Sequence, residues 1–362
     1  MHHEPLASLE TMLAPEMLTR VSREPIDSVR CAPFTGGHSA SGSSFVSVET
    51  NDGRGPRFIV KRSSPASDWI VRATADELGR EVLVWTSGLL DRLPTEIVHP
   101  VITCACDEGG WAILMRDVSD ALIPNPMGNS PISRADHRRY LDALAALHVA
   151  FWDERAVIEP GLGFCNPTHL YTAFSPETGQ REIDHPNEVV SELREGWDLF
   201  WTLVEPDVAD LLRQLFADPE PLCAALARYP QTLVHGDPRA ANIGIVRAPK
   251  PRVVLIDWHF VGPSTPGVDI AWYLWSCGIR LPVARETTIA WYRDRMAHRL
   301  GSHFDEAWWQ PQMELSLLGQ LMRGGWGSAW DAVHDPNAAV REWNREELVW
   351  WSERVRAGAR WL

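Results

Sequence analysis

Between residues 233 and 258 the chain carries Leu-Val-His-Gly-Asp-Pro-Arg-Ala-Ala-Asn, then Ile-Gly-Ile-Val, a turn at Ala248-Pro249-Lys250-Pro251, and Val-Val-Leu-Ile-Asp-Trp. An apolar run leads into His235-Gly236-Asp237; Asn242 follows five residues after Asp237, and Asp257 fifteen after Asn242. Phosphoryl transfer needs this set of groups. One carboxylate must orient an attacking hydroxyl and take its proton. A neutral oxygen ligand and a second carboxylate must hold Mg²⁺ against nucleotide phosphates, because Mg²⁺ prefers hard oxygen donors. Asp237 suits the first task, and Asn242 with Asp257 the second. The apolar runs around them are short and β-branched, so a strand–loop–strand layout brings all three to one sheet edge. Asp and Asn also shape tight turns without doing chemistry, and spacing alone leaves that reading open.

The elements that must position these groups fall into two halves. Residues 6–19 have helical spacing interrupted by Pro15, which predicts one or two short helices. The runs SFVSVET and RFIVK, separated by Asn51-Asp52-Gly53 and Gly55-Pro56, predict a β-hairpin over 44–61. A helix is predicted over 73–90, and strands over 97–103 and 111–116. After residue 118 the period turns helical, with Tyr140, Leu141, Leu144, Leu147, His148 and Phe151 forming one stripe over 134–152. Further helices are predicted near 186–204, 206–228, 266–279, 284–300, 305–323 and 337–358. The fold class expected is α+β: a β-rich lobe over 1–117, a connector near 115–122, and a helical lobe over 118–362.

Composition narrows the function classes. The 362 residues, 45% hydrophobic and 23% charged, make an ordinary globular chain rather than a disordered or disulfide-held one. Thirty-four Lys and Arg against 48 Asp and Glu leave a net charge of −14, which disfavours broad nucleic-acid or anionic-membrane binding. No apolar stretch approaches the roughly 20 residues that span a bilayer. No export signal is read at the start, and six cysteines form no disulfide framework, so a cytoplasmic location is expected. Gly37-His38-Ser39-Ala40-Ser41 lacks the final glycine and preceding strand of a hydrolase nucleophile elbow. Cys104-x-Cys106 has no second pair to complete a structural zinc site.

The HGD-x4-N segment, the downstream LIDW, Asp269 at a helix start (GVDIAWYL), GGHSASGSSFVSVE, MRDVS at 115–119 and ALAALHVAFW at 143–152 together resemble the aminoglycoside phosphotransferase superfamily. The closer similarity is to its ecdysteroid-kinase-like and small-molecule kinase branch. The resemblance covers roughly residues 25–280 and implies a bilobal protein-kinase-like fold with ATP or GTP bound between the lobes. It implies that Lys61 at the end of FIVK holds the α- and β-phosphates, paired with a helix carboxylate. Glu81 matches that position, with Glu77 one turn away as the alternative. Backbone around Ser41 and Gly42 is expected near the phosphates, and connector backbone near Met115–Asp117 is expected to receive the base. Arg239 either neutralises the γ-phosphate or is a surface charge. Asp269 and His235 are expected to brace the loop.

Asp257 and Asp269 are only twelve residues apart, with tight turns between, which leaves little room for a protein substrate. The expected partner is therefore a small-molecule hydroxyl acceptor such as an aminoglycoside, a macrolide or another hydroxylated natural product; no protein partner is indicated. A pseudokinase or nucleotide-binding regulator without turnover is the alternative, and it would require one of these groups to be missing. Eleven of the 18 tryptophans lie between Trp272 and Trp361, where the resemblance places the acceptor pocket. They could line it or simply pack helices.

Overall fold

The computed structural model describes residues 3–34, 40–123, 128–158, 162–185 and 187–362. Its strands are β1 (Val29–Pro33), β2 (Ser44–Thr50), β3 (Phe58–Ser63), β4 (Ile97–Val98), β5 (Val101–Asp107), β6 (Gly110–Arg116), β7 (Thr232–Val234), β8 (Ile243–Val246), β9 (Arg252–Leu255) and β10 (Gly262–Ser264). The first half is an antiparallel sheet in the order β1-β2-β3-β6-β5. The hairpin expected over 44–61 forms, with Phe45 opposite Lys61. Its turn works because Asn51, Asp52 and Gly53 take φ of 51°, 53° and 82°, a region these residue types tolerate best.

The period of two along β3 decides what faces what. Phe58 and Val60 turn toward the helices Leu9–Leu13 and Pro15–Ser22, where they pack with Met12, Leu18, Val48 and Leu114 in a core of their own. The break between those helices falls at Pro15, which takes the first position of the second. Ile59 turns the other way, joins the main core with Ile113 and Met115, and brings Lys61 to the same face.

In the first half of the chain two predictions fail locally, each at a backbone feature. The helix expected over 73–90 is two short ones, Trp69–Ala73 and Arg80–Thr86. Ala75 and Gly79 take φ of 48° and 71° between them, and the Asp76 carboxylate caps the second by accepting from Arg80 N at 3.0 Å. The run over 97–103 divides at Pro100. β4 leaves the large sheet to pair in parallel with β9, tying the first half of the chain to the β8–β9 hairpin.

The second half is helical, built around Glu306–His334, a 29-residue helix that extends past the predicted 305–323. Its neighbours approach closely. A Cβ on Gly196 of Glu188–Leu203 would stand 2.4 Å from Trp326 O, and one on Gly319 would stand 2.3 Å from the Tyr171 ring. The segment predicted as one helix over 206–228 ends at Ala217 and restarts at Glu220, since Pro219 cannot continue the first. Trp272, Trp309 and Trp351 are buried in helix packing. Trp308 lies tilted against Trp152 with ring centroids 5.2 Å apart, and Arg285 lies over Trp343 and Trp350.

Candidate active site

The loop leaving β7 is held from below by one buried carboxylate. Asp269, at the start of Gly267–Ser276, accepts from His235 N (2.8 Å) and Gly236 N (2.7 Å), and His148 Nε2 lies 3.1 Å from it. Burial opposes its charge, but His148 and these donors offset that and keep its carboxyl below the ordinary range. His235 in turn lies with Nε2 3.0 Å from Ile256 O, which links this loop to the one after β9. Burial lowers its pKa, which suits a neutral brace.

Gly236 has φ +81°, and a Cβ there would stand 2.4 Å from Phe260 O. Gly236→Ala is therefore expected to cost at least about 2 kcal/mol, from left-handed strain plus a backbone clash. Chemical denaturation of the two proteins checks this.

Arg323, from the middle of Glu306–His334, was not singled out by sequence. It is 1% exposed, donates from Nη2 to Gly236 O at 2.7 Å, and lies 4.0 Å over the Trp272 ring. Burial lowers its pKa to about 10, while Asp237 pulls the other way. A buried cation thus stands directly behind the loop.

Asp237 sits at the mouth of this arrangement, 3% exposed. The Asn242 amide group donates to its backbone O (3.0 Å) and its Oδ2 (2.8 Å), while Arg239 Nε lies 3.4 Å from Oδ2. Asp237 Oδ1 is buried without a hydrogen-bond partner. With the Asn242 nitrogen committed to Asp237, the amide oxygen is left for another use.

Lys61 brings the first half of the chain to meet the second. Its Nζ lies 2.5 Å from both Glu81 Oε2 and Asp257 Oδ1. Burial opposes the ammonium, but Asp257 and Glu81 together raise its pKa well above the ordinary value. Glu81, not Glu77, is the partner: after the break at Gly79 the helix Arg80–Thr86 packs on β5 and carries Glu81 to Lys61, while Glu77 remains in the turn. Asp257 takes φ +70°, a strained value for a non-glycine residue that aims its carboxylate back at Lys61. Burial works against its charge too, yet His259 and Lys61 hold its carboxyl well below the ordinary range.

His259 is the other group that sequence reading missed. Its Nδ1 lies 2.6 Å from Asp257 Oδ1 and its Nε2 3.8 Å from Asp237 Oδ2. It follows Asp257 by two residues and reads in sequence as loop.

The remaining predicted residues are placed as follows. Ser41 Oγ donates to Asp68 Oδ2 (2.7 Å), and a Cβ on Gly42 would strike Ser67 O, so both are packed onto the Asp68 turn. Residues 35–39 of the same loop lie outside the described residues. In the connector, Arg116 N donates to Pro100 O and Asp117 N to Arg57 O, so both amides are spent within the fold. The first connector amide with no bond among the described residues is that of Val118, just beyond the predicted Met115–Asp117. A cavity of about 240 Å³ opens beside Lys61 and Glu81, lined also by Asp68, Glu77, Trp111 and His259.

Residues 38–301 match the model of the phosphotransferase enzyme family. The chain belongs to that family. It is a kinase-like small-molecule phosphotransferase that acts on hydroxyl groups. No curated protein matches its sequence. Among solved structures, Plasmodium vivax ethanolamine kinase is 13% identical, with 92% of this chain and 82% of that one covered at a TM-score of 0.50. A choline kinase from Streptococcus pneumoniae is 15% identical, covering 95% and 99% at 0.48. An aminoglycoside phosphotransferase from Streptomyces rimosus, solved with ADP and streptomycin, is 17% identical, covering 82% and 92% at 0.44. The first of these likenesses concerns the fold alone, and that fold is kinase-like, with a small sheet-based lobe and a large helical one. Among the described residues of this family member, no helix is long and apolar enough to cross a membrane.

Proposed function

We propose that this phosphotransferase moves the γ-phosphoryl group of ATP or GTP to a hydroxyl of a small hydroxylated natural product, an aminoglycoside or a macrolide among them. Residues 1–117 and 118–362 form the two walls of the nucleotide cleft. The observation that carries the reading is the meeting of Lys61, Glu81 and Asp257 at 2.5 Å contacts, next to an Asp237 whose Oδ1 has no partner. A regulator without turnover would lack one of these groups.

Lys61, steered by Glu81, binds the α- and β-phosphates, and connector backbone near Met115–Asp117 receives the base. Asp237 accepts the hydrogen bond of the acceptor hydroxyl. As that oxygen bonds to the γ-phosphorus and the bond to the β–γ bridging oxygen breaks, the proton passes to an Asp237 carboxylate oxygen. Arg239, 3.4 Å from Asp237, faces the transferring group with positive charge. The donor set fits a hard divalent cation: the Asn242 amide oxygen and the Asp257 carboxylate would hold Mg²⁺, which supplies charge neutralisation at the phosphates.

The test is phosphorus NMR of the protein with Mg²⁺, ATP or GTP, and a panel of aminoglycosides, macrolides, steroids and amino alcohols. A new phosphomonoester resonance with one acceptor class is expected. Nucleotide hydrolysis without any ester, across the whole panel, contradicts the proposal. Lys61→Met is expected to weaken Mg-nucleotide binding at least tenfold, the value of about 1.5–3 kcal/mol for hydrogen bonds to a charged group. Calorimetric titration reads it directly.

A further inference from the structure

A second cavity, of about 450 Å³, shares no lining residue with the one beside Lys61. It lies where the two halves of the chain are joined. β4 from the first half pairs with β9 from the second, Ile97 opposite Val253, and Val253 N donates to Glu96 O at 2.9 Å. Arg252, the first residue of β9, stands next to this junction. Val246 is its partner across the β8–β9 hairpin, so the two side chains share a face. Arg116 closes β6 and Val118 follows it in the connector, and both line the same cavity.

The lining combines apolar walls with positive charge. Leu90, Leu93, Val118 and Val246 supply the walls, and Arg116 and Arg252 bring two guanidinium groups. Among the described residues neither guanidinium makes a hydrogen bond or an ion pair. Neighbouring arginines differ: Arg92 is answered by Glu154 and Arg299 by Glu96. Asp91, the one acidic residue of the lining, is held by His3 Nε2 at 2.8 Å. His99 lines the cavity as well, and its buried Nδ1 has no hydrogen-bond partner. Burial lowers the pKa of that ring and the Arg116 charge acts in the same direction, against Asp91. The neutral imidazole keeps one N–H to give. Two uncommitted cations and a buried, unpartnered ring nitrogen in one apolar cavity are independent features, and both suit an anion with an apolar body.

We infer that the cavity between the connector and the β8–β9 hairpin binds a compact organic dianion, a phosphate monoester with an apolar body, through Arg116, Arg252 and His99. Two guanidinium groups match two negative charges, and their forked N–H groups fit phosphate oxygens in pairs. The apolar walls take the body of the ester, and the volume falls within the range of small-molecule sites. The ligand ties the end of β6 to the start of β9, so it bridges the two halves of the chain without entering the cavity beside Lys61. The site stands independently of the reaction proposed above. Sequence could not show it, since its cations lie 136 residues apart and read as ordinary surface charges.

The experiment is calorimetric titration of the full chain with phenyl phosphate, in phosphate-free buffer without Mg²⁺ or nucleotide. One saturable site per chain is expected. Arg252→Gln should weaken binding at least tenfold. Val246→Trp, which fills the cavity and leaves both arginines in place, should weaken it as much. Lys61→Met should bind phenyl phosphate as the wild type does, because Lys61 lines the other cavity. Benzoate, with the same ring and a single charge, should bind at least tenfold more weakly. No binding of phenyl phosphate, or equal affinity in Arg252→Gln and Val246→Trp, overturns the site. Loss of binding in Lys61→Met alone assigns the ligand to the nucleotide cleft and overturns it too. Benzoate bound as tightly as phenyl phosphate overturns the choice of a dianion. With no nucleotide in the titration, each of these failures leaves the proposed phosphoryl transfer standing.

Discussion

Asp237→Asn is expected to lower kcat by about 10²–10⁴, the range for removing a general base, while the dissociation constant of Mg-nucleotide changes less than about twofold. The separation follows from the contacts. Asp237 is joined to Asn242 and Arg239, whereas Lys61 is joined to Glu81 and Asp257. An Asn side chain keeps an oxygen for the Asn242 amide and so preserves the loop, but it cannot take a proton. Steady-state kinetics with the acceptor found by phosphorus NMR, together with nucleotide titration, checks both halves. Loss of nucleotide binding in step with kcat would assign Asp237 to phosphate or metal binding instead. Full retained turnover would move the base to His259, whose Nε2 lies 3.8 Å from Asp237.

The largest effect on stability is expected at Asp269. Asp269→Ala leaves the His235 and Gly236 amides buried without acceptors and removes the partner of His148. At about 1–3 kcal/mol for each stranded donor, a loss of roughly 3–5 kcal/mol follows, enough to unfold a marginal domain. The pH dependence has a definite sign. The folded pKa of Asp269 lies below its unfolded value, so its contribution is fully present above the ordinary carboxylate range. It is lost as pH falls through the folded value. The difference between wild type and variant should therefore narrow in acid, and equilibrium denaturation across pH measures it. A variant as stable as wild type would mean that the loop is held elsewhere, by Arg323 on Gly236 O.

The parts legible in sequence are those in which neighbours along the chain are also neighbours in space. The strands flanking Asp237 and Asp257 are contiguous β-branched runs, and the period of two in FIVK puts Lys61 on the face of Ile59. The first reading needed only local rules, whereas the role expected of Lys61 came from the family resemblance. The break at Ala75–Gly79 was hidden because a helical stripe runs through it, and nothing in residue type marks Ala75 as left-handed. Arg323 was hidden for a different reason. In sequence a buried arginine looks like a surface one, and its tie to Gly236 spans 87 residues. In the connector, only the folded pairing shows that the Arg116 and Asp117 amides already have backbone partners. Most of the tryptophans expected near an acceptor are explained by packing: Trp351 is fully buried, and Trp275 Nε1 is bonded to Ser328.

The central claim is that Lys61, Glu81 and Asp257 meet to receive a nucleotide. Calorimetric titration of the wild-type chain with ATP and with GTP, each in Mg²⁺, tests it most directly. One saturable site per chain for at least one nucleotide, weakened at least tenfold in Lys61→Met, is the predicted result. Absence of binding for both nucleotides, or equal affinity in Lys61→Met, would contradict the account.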